Sequence, residues 1–163
     1  FVGDNLSSNV YLDRQTGYRQ ALSEYDLSFD PAMSFITRLD EDSGERVVDR
    51  LLEFAYRPDG IFAANYTSAV SIICQLKKAG IKVPDDIAIV GFNDVHISRV
   101  IDPPLTTIHY PGIEMGEMAA STLIEILSSS DPVVSKTVVL DHRLIVRKSS
   151  LKQTHSQQVR AYQ

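Results

Sequence analysis

Three side chains in this sequence have the type and position to hold a small polar ligand: Arg14, Asn65 and Asn93. A guanidinium offers donors in a planar fork that can close on two adjacent ligand oxygens. Arg14 falls near the start of a helix that follows a short apolar stump, Phe1-Val2-Gly3. Asn65 ends the apolar run Ile61-Phe62-Ala63-Ala64. Asn93 and Asp94 end the run Ile87-Ala88-Ile89-Val90-Gly91-Phe92. In open α/β sheets ligands sit just beyond the carboxyl ends of the strands, which is where these residues stand. Each also has a plainer role open to it. Arg14 could be a solvated surface arginine, Asn65 a helix cap and Asn93 a turn residue.

The elements that would position them alternate. Apolar residues at helical spacing, Leu12, Ala21, Leu22 and Tyr25, predict a first helix over Leu12–Tyr25. Ser34–Leu39 reads as a strand, and Asp42-Ser43 with Glu45 as the start of a second helix. That helix carries the stripe Val47, Val48, Leu51, Leu52 and Ala55. Ile61–Ala64 reads as a strand, and Tyr66–Ala79 as a helix stopped by Gly80. After the turn Pro84-Asp85-Asp86, the short run Ile87–Val90 has the character of a strand buried on both faces of a parallel sheet. Pro103-Pro104 leads into a further β-prone run, Leu105–Ile108. A helix follows over Ile113–Leu127, then short β runs at Thr137–Leu140 and Leu144–Val146. From Leu151 the chain is polar and aperiodic, and a frayed tail is expected. Helix and strand in alternation predict an α/β fold with a mostly parallel sheet flanked by helices.

Composition narrows the function classes. The 163 residues suit one domain, with 44% hydrophobic and 23% charged side chains. A net charge of -5 argues against direct DNA binding by this chain. The single cysteine, Cys74, permits no internal disulfide, which fits a cytoplasmic protein and equally a periplasmic one without disulfides. No apolar run is long enough to span a bilayer. Neither GxGxxG nor GxxxxGK[ST] occurs, and GxSxG and HExxH are absent too. His96, His109, His142 and His155 lack metal-ligand spacing, and the acidic run Asp40-Glu41-Asp42 fits a helix start better than a calcium loop. No cofactor or metal is expected, and no acid/base or nucleophile pattern supports an enzyme.

Several of these pieces recur in a fixed order. Val83-Pro84, Val90-Gly91-Phe92, Pro104-Leu105-Thr106-Thr107-Ile108 and Met115-Gly116 with Ala119 are flanked by Ile61–Asn65 and by Arg143-Leu144-Ile145-Val146-Arg147-Lys148-Ser149. With Arg14 and Gly17-Tyr18 added, the sequence resembles the lac-repressor-type family of bacterial transcription regulators, from residue 2 to about residue 150. The resemblance implies the back lobe of a two-lobed, periplasmic-binding-protein-like fold. Residues 1–110 and 134–149 would form the C-terminal lobe, 111–133 would cross to an N-terminal lobe, and 150–163 would be the tail. The match begins inside a strand of the family's effector domain. The helix-turn-helix head and the front half of that domain are therefore expected upstream.

The resemblance also implies roles. The arginine matching Arg14 binds effector in the family, as do the positions of Asn65 and Asn93. Ser8, Val10 and Leu39 fall on positions that contact effector in some members. Two departures bear on the ligand: Tyr66 stands where aspartate is usual, and Asn93-Asp94 reverses a common order. A tyrosine and neutral amides suit a sugar without excluding a nucleobase. The expected function is effector binding and homodimerisation in a cytoplasmic regulator that reaches operator DNA only through its missing head. A periplasmic sugar-binding protein of the same fold is the alternative. With its partner sheet absent, the apolar stripe of the Ile113–Leu127 helix should be exposed or covered by a second copy.

Overall fold

The computed structural model describes residues 1–5, 8–129 and 135–152. Its elements are β1 (Val2–Gly3), α1 (Asn9–Glu24), β2 (Phe35–Ile36), α2 (Ser43–Leu52), β3 (Gly60–Phe62), α3 (Tyr66–Lys78), β4 (Ala88–Phe92), α4 (Ile97–Val100), β5 (Thr106–His109), α5 (Gly112–Ser128) and β6 (Arg143–Ile145). Two sheets, β2-β1 and β3-β4-β5-β6, are joined by a parallel bridge between Val2 and Ala63. All pairings are parallel except β5 with β6. The carboxyl ends of β1 to β5 therefore lie on one edge. His109 pairs with Arg143 there, so the chain leaves the sheet after β5 and returns into β6 at that same edge.

The core is where periodicity places it. Val47, Val48 and Leu51 of α2 and Ala69, Ile72, Ile73 and Leu76 of α3 are buried together with Ile61, Ile87 and Ile89. α3 begins at an Asn65 cap whose side chain accepts from the Ser68 N–H. It ends where Gly80, at φ +74, lets the N–H groups of Gly80 and Ile81 reach back to the carbonyls of Lys77 and Leu76. The closing segment locks β4 to β5. The Ser149 Oγ donates to the Ile89 carbonyl at 2.6 Å and accepts from the Thr106 N–H at 2.8 Å, while the Ile89 N–H donates to the Ser149 carbonyl. Thr106 Oγ1 accepts from the Arg147 N–H at 2.8 Å.

Four expectations need correction. The inner face of α1 is Tyr11, Arg14, Gln15, Tyr18 and Leu22, whereas Leu12, Ala21 and Tyr25 are exposed. Aromatic packing decides this: Tyr18 stacks on Phe1 and lies beside Phe29 and Phe62. The strand expected over Ser34–Leu39 is only Phe35–Ile36, because Leu39 turns into the left-handed region at φ +54. α2 ends at Leu52, which is exposed, and Ala55 lies beyond the helix and is exposed too, so neither joins the buried stripe. Thr137–Leu140 forms no strand. Residues 153–163 of the expected tail lie outside the described residues.

α5 contributes no buried residue, and Ile113, Leu123, Ile124 and Leu127 are each more than half exposed. α2 and α3, by contrast, touch closely through Gly44. A Cβ there would meet the Ser71 Oγ and carbonyl carbon and stand 2.7 Å from the Ile72 nitrogen. In an exposed helix, glycine to alanine stabilises by up to about 1 kcal/mol. Here the helices would have to part, at an overpacking cost of about 1–3 kcal/mol. Gly44→Ala is expected to lower stability by about 1–2 kcal/mol net, read by urea denaturation, and a gain in stability would show the contact to be loose.

Candidate functional site

Arg14 reaches the shared strand edge from the second turn of α1. Its Nη1 donates to the Ala64 carbonyl at 2.5 Å, and its guanidinium carbon lies 3.6 Å from the centre of the Phe92 ring. Tyr11 stands at 5.6 Å. Ala64 precedes Asn65 and Phe92 precedes Asn93, so Arg14 bridges the ends of β3 and β4 at the expected positions. The side chain is half-buried rather than extended into open space, which corrects the solvated reading. Burial lowers the Arg14 pKa, while nearby Tyr11 and Tyr110 act to raise it. No carboxylate pairs with it among the described residues.

Asn93 adopts φ +72, a left-handed conformation that asparagine tolerates, and its N–H donates to the Ile108 carbonyl at 3.1 Å. Its Oδ1 is buried and has no hydrogen-bond partner among the described residues. Asn65 shares the edge, but its side chain is committed to the fold. Its Oδ1 caps Ser68, and its Nδ2 donates to the Leu39 carbonyl at 3.0 Å. That second bond helps hold Leu39 in its strained left-handed turn.

Asp94 stands at the strand end, yet its carboxylate serves the fold. Its side chain is 4% exposed, with Arg147 Nη1 at 2.7 Å, Arg99 Nη2 at 3.1 Å and His109 Nδ1 at 3.8 Å. The Arg147 contact is close but poorly angled, leaving Asp94 Oδ1 without a well-formed hydrogen bond. Burial acts to raise the Asp94 pKa, but the two guanidinium groups outweigh it and hold the pKa below the usual carboxylate value. Tyr66 opens α3 half-buried against the core, and Ser8 is exposed at the start of α1 with no side-chain capping bond. Neither has a described contact with Arg14.

The structure adds Phe92, Tyr11 and Tyr110 to the surroundings of Arg14. Phe92 lies inside the Val90-Gly91-Phe92 motif, and its place as the last residue of β4 was the available signal. A groove of about 600 Å³ lies along α5. It is lined by Met115, Met118, Leu123 and Ile126 of α5 with Val138 and Val139. Its lining is mostly apolar, with Tyr110, Thr122 and Lys136 as its polar side chains, and it includes none of Arg14, Asn65 and Asn93. The described residues contain no group of His, Cys, Asp and Glu able to hold a metal and no helix long and apolar enough to cross a membrane.

A family model described as a periplasmic binding protein-like domain matches residues 1–150. Among curated proteins, the NTD biosynthesis operon regulator NtdR of Bacillus subtilis is 34% identical, the match covering 92% of this chain and 46% of that protein. The HTH-type transcriptional repressor PurR of Vibrio atlanticus is 30% identical over 93% of this chain and 45% of its own length. Among solved structures, the transcriptional regulator CelR in complex with cellobiose is 26% identical with a TM-score of 0.75, covering 91% of this chain and 46% of that one. A sugar-binding LacI-family regulator from Escherichia coli, complexed with phosphate, is 25% identical with a TM-score of 0.78, covering 91% and 54%. The chain spans about half the length of the curated relatives it matches.

Proposed function

Because this chain belongs to the periplasmic binding protein-like domain family, among the lac-repressor-type transcription regulators, we propose that it is the effector-binding back lobe of such a regulator. The observation that carries the reading is Arg14, held by Phe92 and the Ala64 carbonyl at the carboxyl ends of β3 and β4. A small molecule bound there would stand at the edge where the chain leaves after β5 and returns at β6. Closing on it would shift how the two lobes are arranged, and through them the DNA-binding heads of a cytoplasmic homodimer. The effector would be a sugar or sugar derivative, as the relative with bound cellobiose supports. The chain would perform no catalysis and contact operator DNA only through a separate head. No observation favours the periplasmic sugar-binding alternative.

The test is operator release. The full-length protein on its operator is titrated with sugars and sugar derivatives, and release or tightening is followed by fluorescence anisotropy. A protein whose operator affinity no small molecule changes would reject the reading.

Residues 111–133 cross, on this proposal, to the other lobe. The apolar face of α5 would then be covered in the whole protein and bare in the isolated chain. Burying each large apolar side chain contributes about 1.5–3 kcal/mol. The isolated chain is expected to self-associate with rising concentration in sedimentation velocity, and Leu123→Glu to return it towards a monomer. A parent chain monomeric at all concentrations would count against the assignment.

A further inference from the structure

Two side chains from different elements converge on one oxygen of Asp94. The Arg99 Nη2, on α4, donates to Oδ2 at 3.1 Å. The His109 Nδ1, at the end of β5, stands 3.8 Å from the same atom, too far for a hydrogen bond but within ion-pair range. The other oxygen, Oδ1, faces Arg147 at 2.7 Å. The two side chains at Oδ2 differ in freedom. The Arg99 side chain is 59% exposed on a four-residue helix and can turn into water. The His109 side chain is 30% exposed, on a strand paired on both sides, with β4 and β6. They differ too in what they tie down. Arg99 links α4 to the end of β4, whereas His109 is the last residue of β5, where the chain leaves the sheet.

The charges around His109 decide what a proton on its ring does. Arg99 faces it from α4, Arg147 from the closing segment and Arg143 from the opposite position on β6. Among the described residues, Asp94 is the one carboxylate paired with any of these groups. Burial acts against ionisation of Asp94, but the guanidinium groups of Arg147 and Arg99 outweigh it and hold the pKa below the usual carboxylate value. Asp94 therefore keeps its charge where imidazoles titrate. A neutral His109 leaves Oδ2 to Arg99. A protonated one adds a further cation to three guanidinium groups around a single carboxylate, and like charges this close repel. Of the two guanidinium groups on Asp94, Arg99 is the one that water can receive, since the Arg147 side chain is 16% exposed and also donates to the Leu105 carbonyl.

The geometry points to a proton-driven exchange at Asp94: on protonation His109 takes Oδ2 and Arg99 lets go, so the carboxylate passes from α4 to the end of β5. α4 then loosens, and the join between the ends of β4 and β5 tightens. The exchange needs no ligand and stands apart from the effector-binding reading. A second histidine lies beside α4. The His96 carbonyl accepts from the Arg99 N–H at 3.0 Å, and its exposed ring also gains charge on acidification.

The experiment follows backbone hydrogen exchange in the full-length protein from about pH 8 to about pH 5.5, each rate divided by the intrinsic rate at that pH. Parent, His109→Gln, His96→Gln and Arg99→Gln are compared. In the parent, protection of the Ser98, Arg99 and Ile101 N–H groups is expected to fall about threefold on acidification, the scale of losing one exposed ion pair. The Asn93 N–H, bonded to the Ile108 carbonyl, is expected to keep or gain protection. His109→Gln should hold α4 level across the range, His96→Gln should behave as the parent, and Arg99→Gln should show the loosened α4 already at the alkaline end. A parent whose α4 protection stays level overturns the inference. A fall that persists in His109→Gln, or vanishes in His96→Gln, assigns the effect to His96 and overturns it too. So does Arg99→Gln falling with pH as the parent does, or a fall at Asn93 equal to that at α4, which would be general loosening.

Discussion

Asp94→Ala is expected to destabilise the protein by about 3–5 kcal/mol, the cost of removing one partner from a buried ion pair. The Asp94 side chain is 4% exposed and that of Arg147 16%, so the guanidinium left behind would stay largely out of water. Arg147 also donates to the Leu105 carbonyl at 2.9 Å, which keeps it from swinging out to solvent. Arg99 is 59% exposed, and Arg99→Ala should cost no more than about 1 kcal/mol. Urea denaturation of parent and variants separates the two. The pH dependence gives a second check. The folded pKa of Asp94 lies below its unfolded value, so its contribution is present above that unfolded value, about 3.9, and is lost as pH falls through the folded one. The gap between parent and Asp94→Ala should therefore hold at neutral pH and narrow below about pH 4. A loss under about 1 kcal/mol at pH 7, or a gap that widens on acidification, would show that the carboxylate is free of Arg147.

Asp94 also shows where reading the sequence stops. Its place after a strand made it look like a ligand group, and only the fold brings Arg147, from the closing segment, onto it. β3, β4 and α3 were legible because their signals are local: short apolar runs, an asparagine before a helix and a glycine after it. α1 was misread because its inner face carries Tyr11, Arg14, Gln15 and Tyr18, polar or amphipathic side chains that an apolar period ignores. Gln15 is 5% exposed, and its Nε2 donates to the Ser34 Oγ at 3.3 Å, a contact between distant parts of the chain that spacing along the helix does not reveal. Thr137–Leu140 has the composition of a strand but no neighbouring strand to pair with, and a lone extended segment earns no ladder. At the candidate site, the strand ends fixed which backbone positions meet. They did not reveal that Asn65 turns inward to Leu39 while Arg14 turns across to Phe92.

Arg14→Ala is the substitution expected to matter most for ligand binding. A hydrogen bond to a charged group contributes roughly 1.5–3 kcal/mol, so its loss should weaken effector binding by about one to two powers of ten. The contacts of Arg14 change what else should follow. On position alone the side chain would face an open cleft, and its removal would leave folding untouched. Instead it bonds to the Ala64 carbonyl and covers the face of Phe92. Losing that bond and a cation–π contact should lower stability by about 1 kcal/mol. The two effects separate by experiment: calorimetric titration with the effector at a temperature where both proteins are fully folded, and urea denaturation without it. Arg14→Lys should recover little affinity, since an ammonium can neither fork onto two oxygens nor lie flat on Phe92. Phe92→Leu supplies a further arm. It removes the surface that fixes the guanidinium plane while leaving Arg14 in place, so it should weaken binding by less than Arg14→Ala does. Effector affinity and operator release unchanged in Arg14→Ala would place the ligand away from the ends of β3 and β4, and leave Arg14 as a strut between two strands.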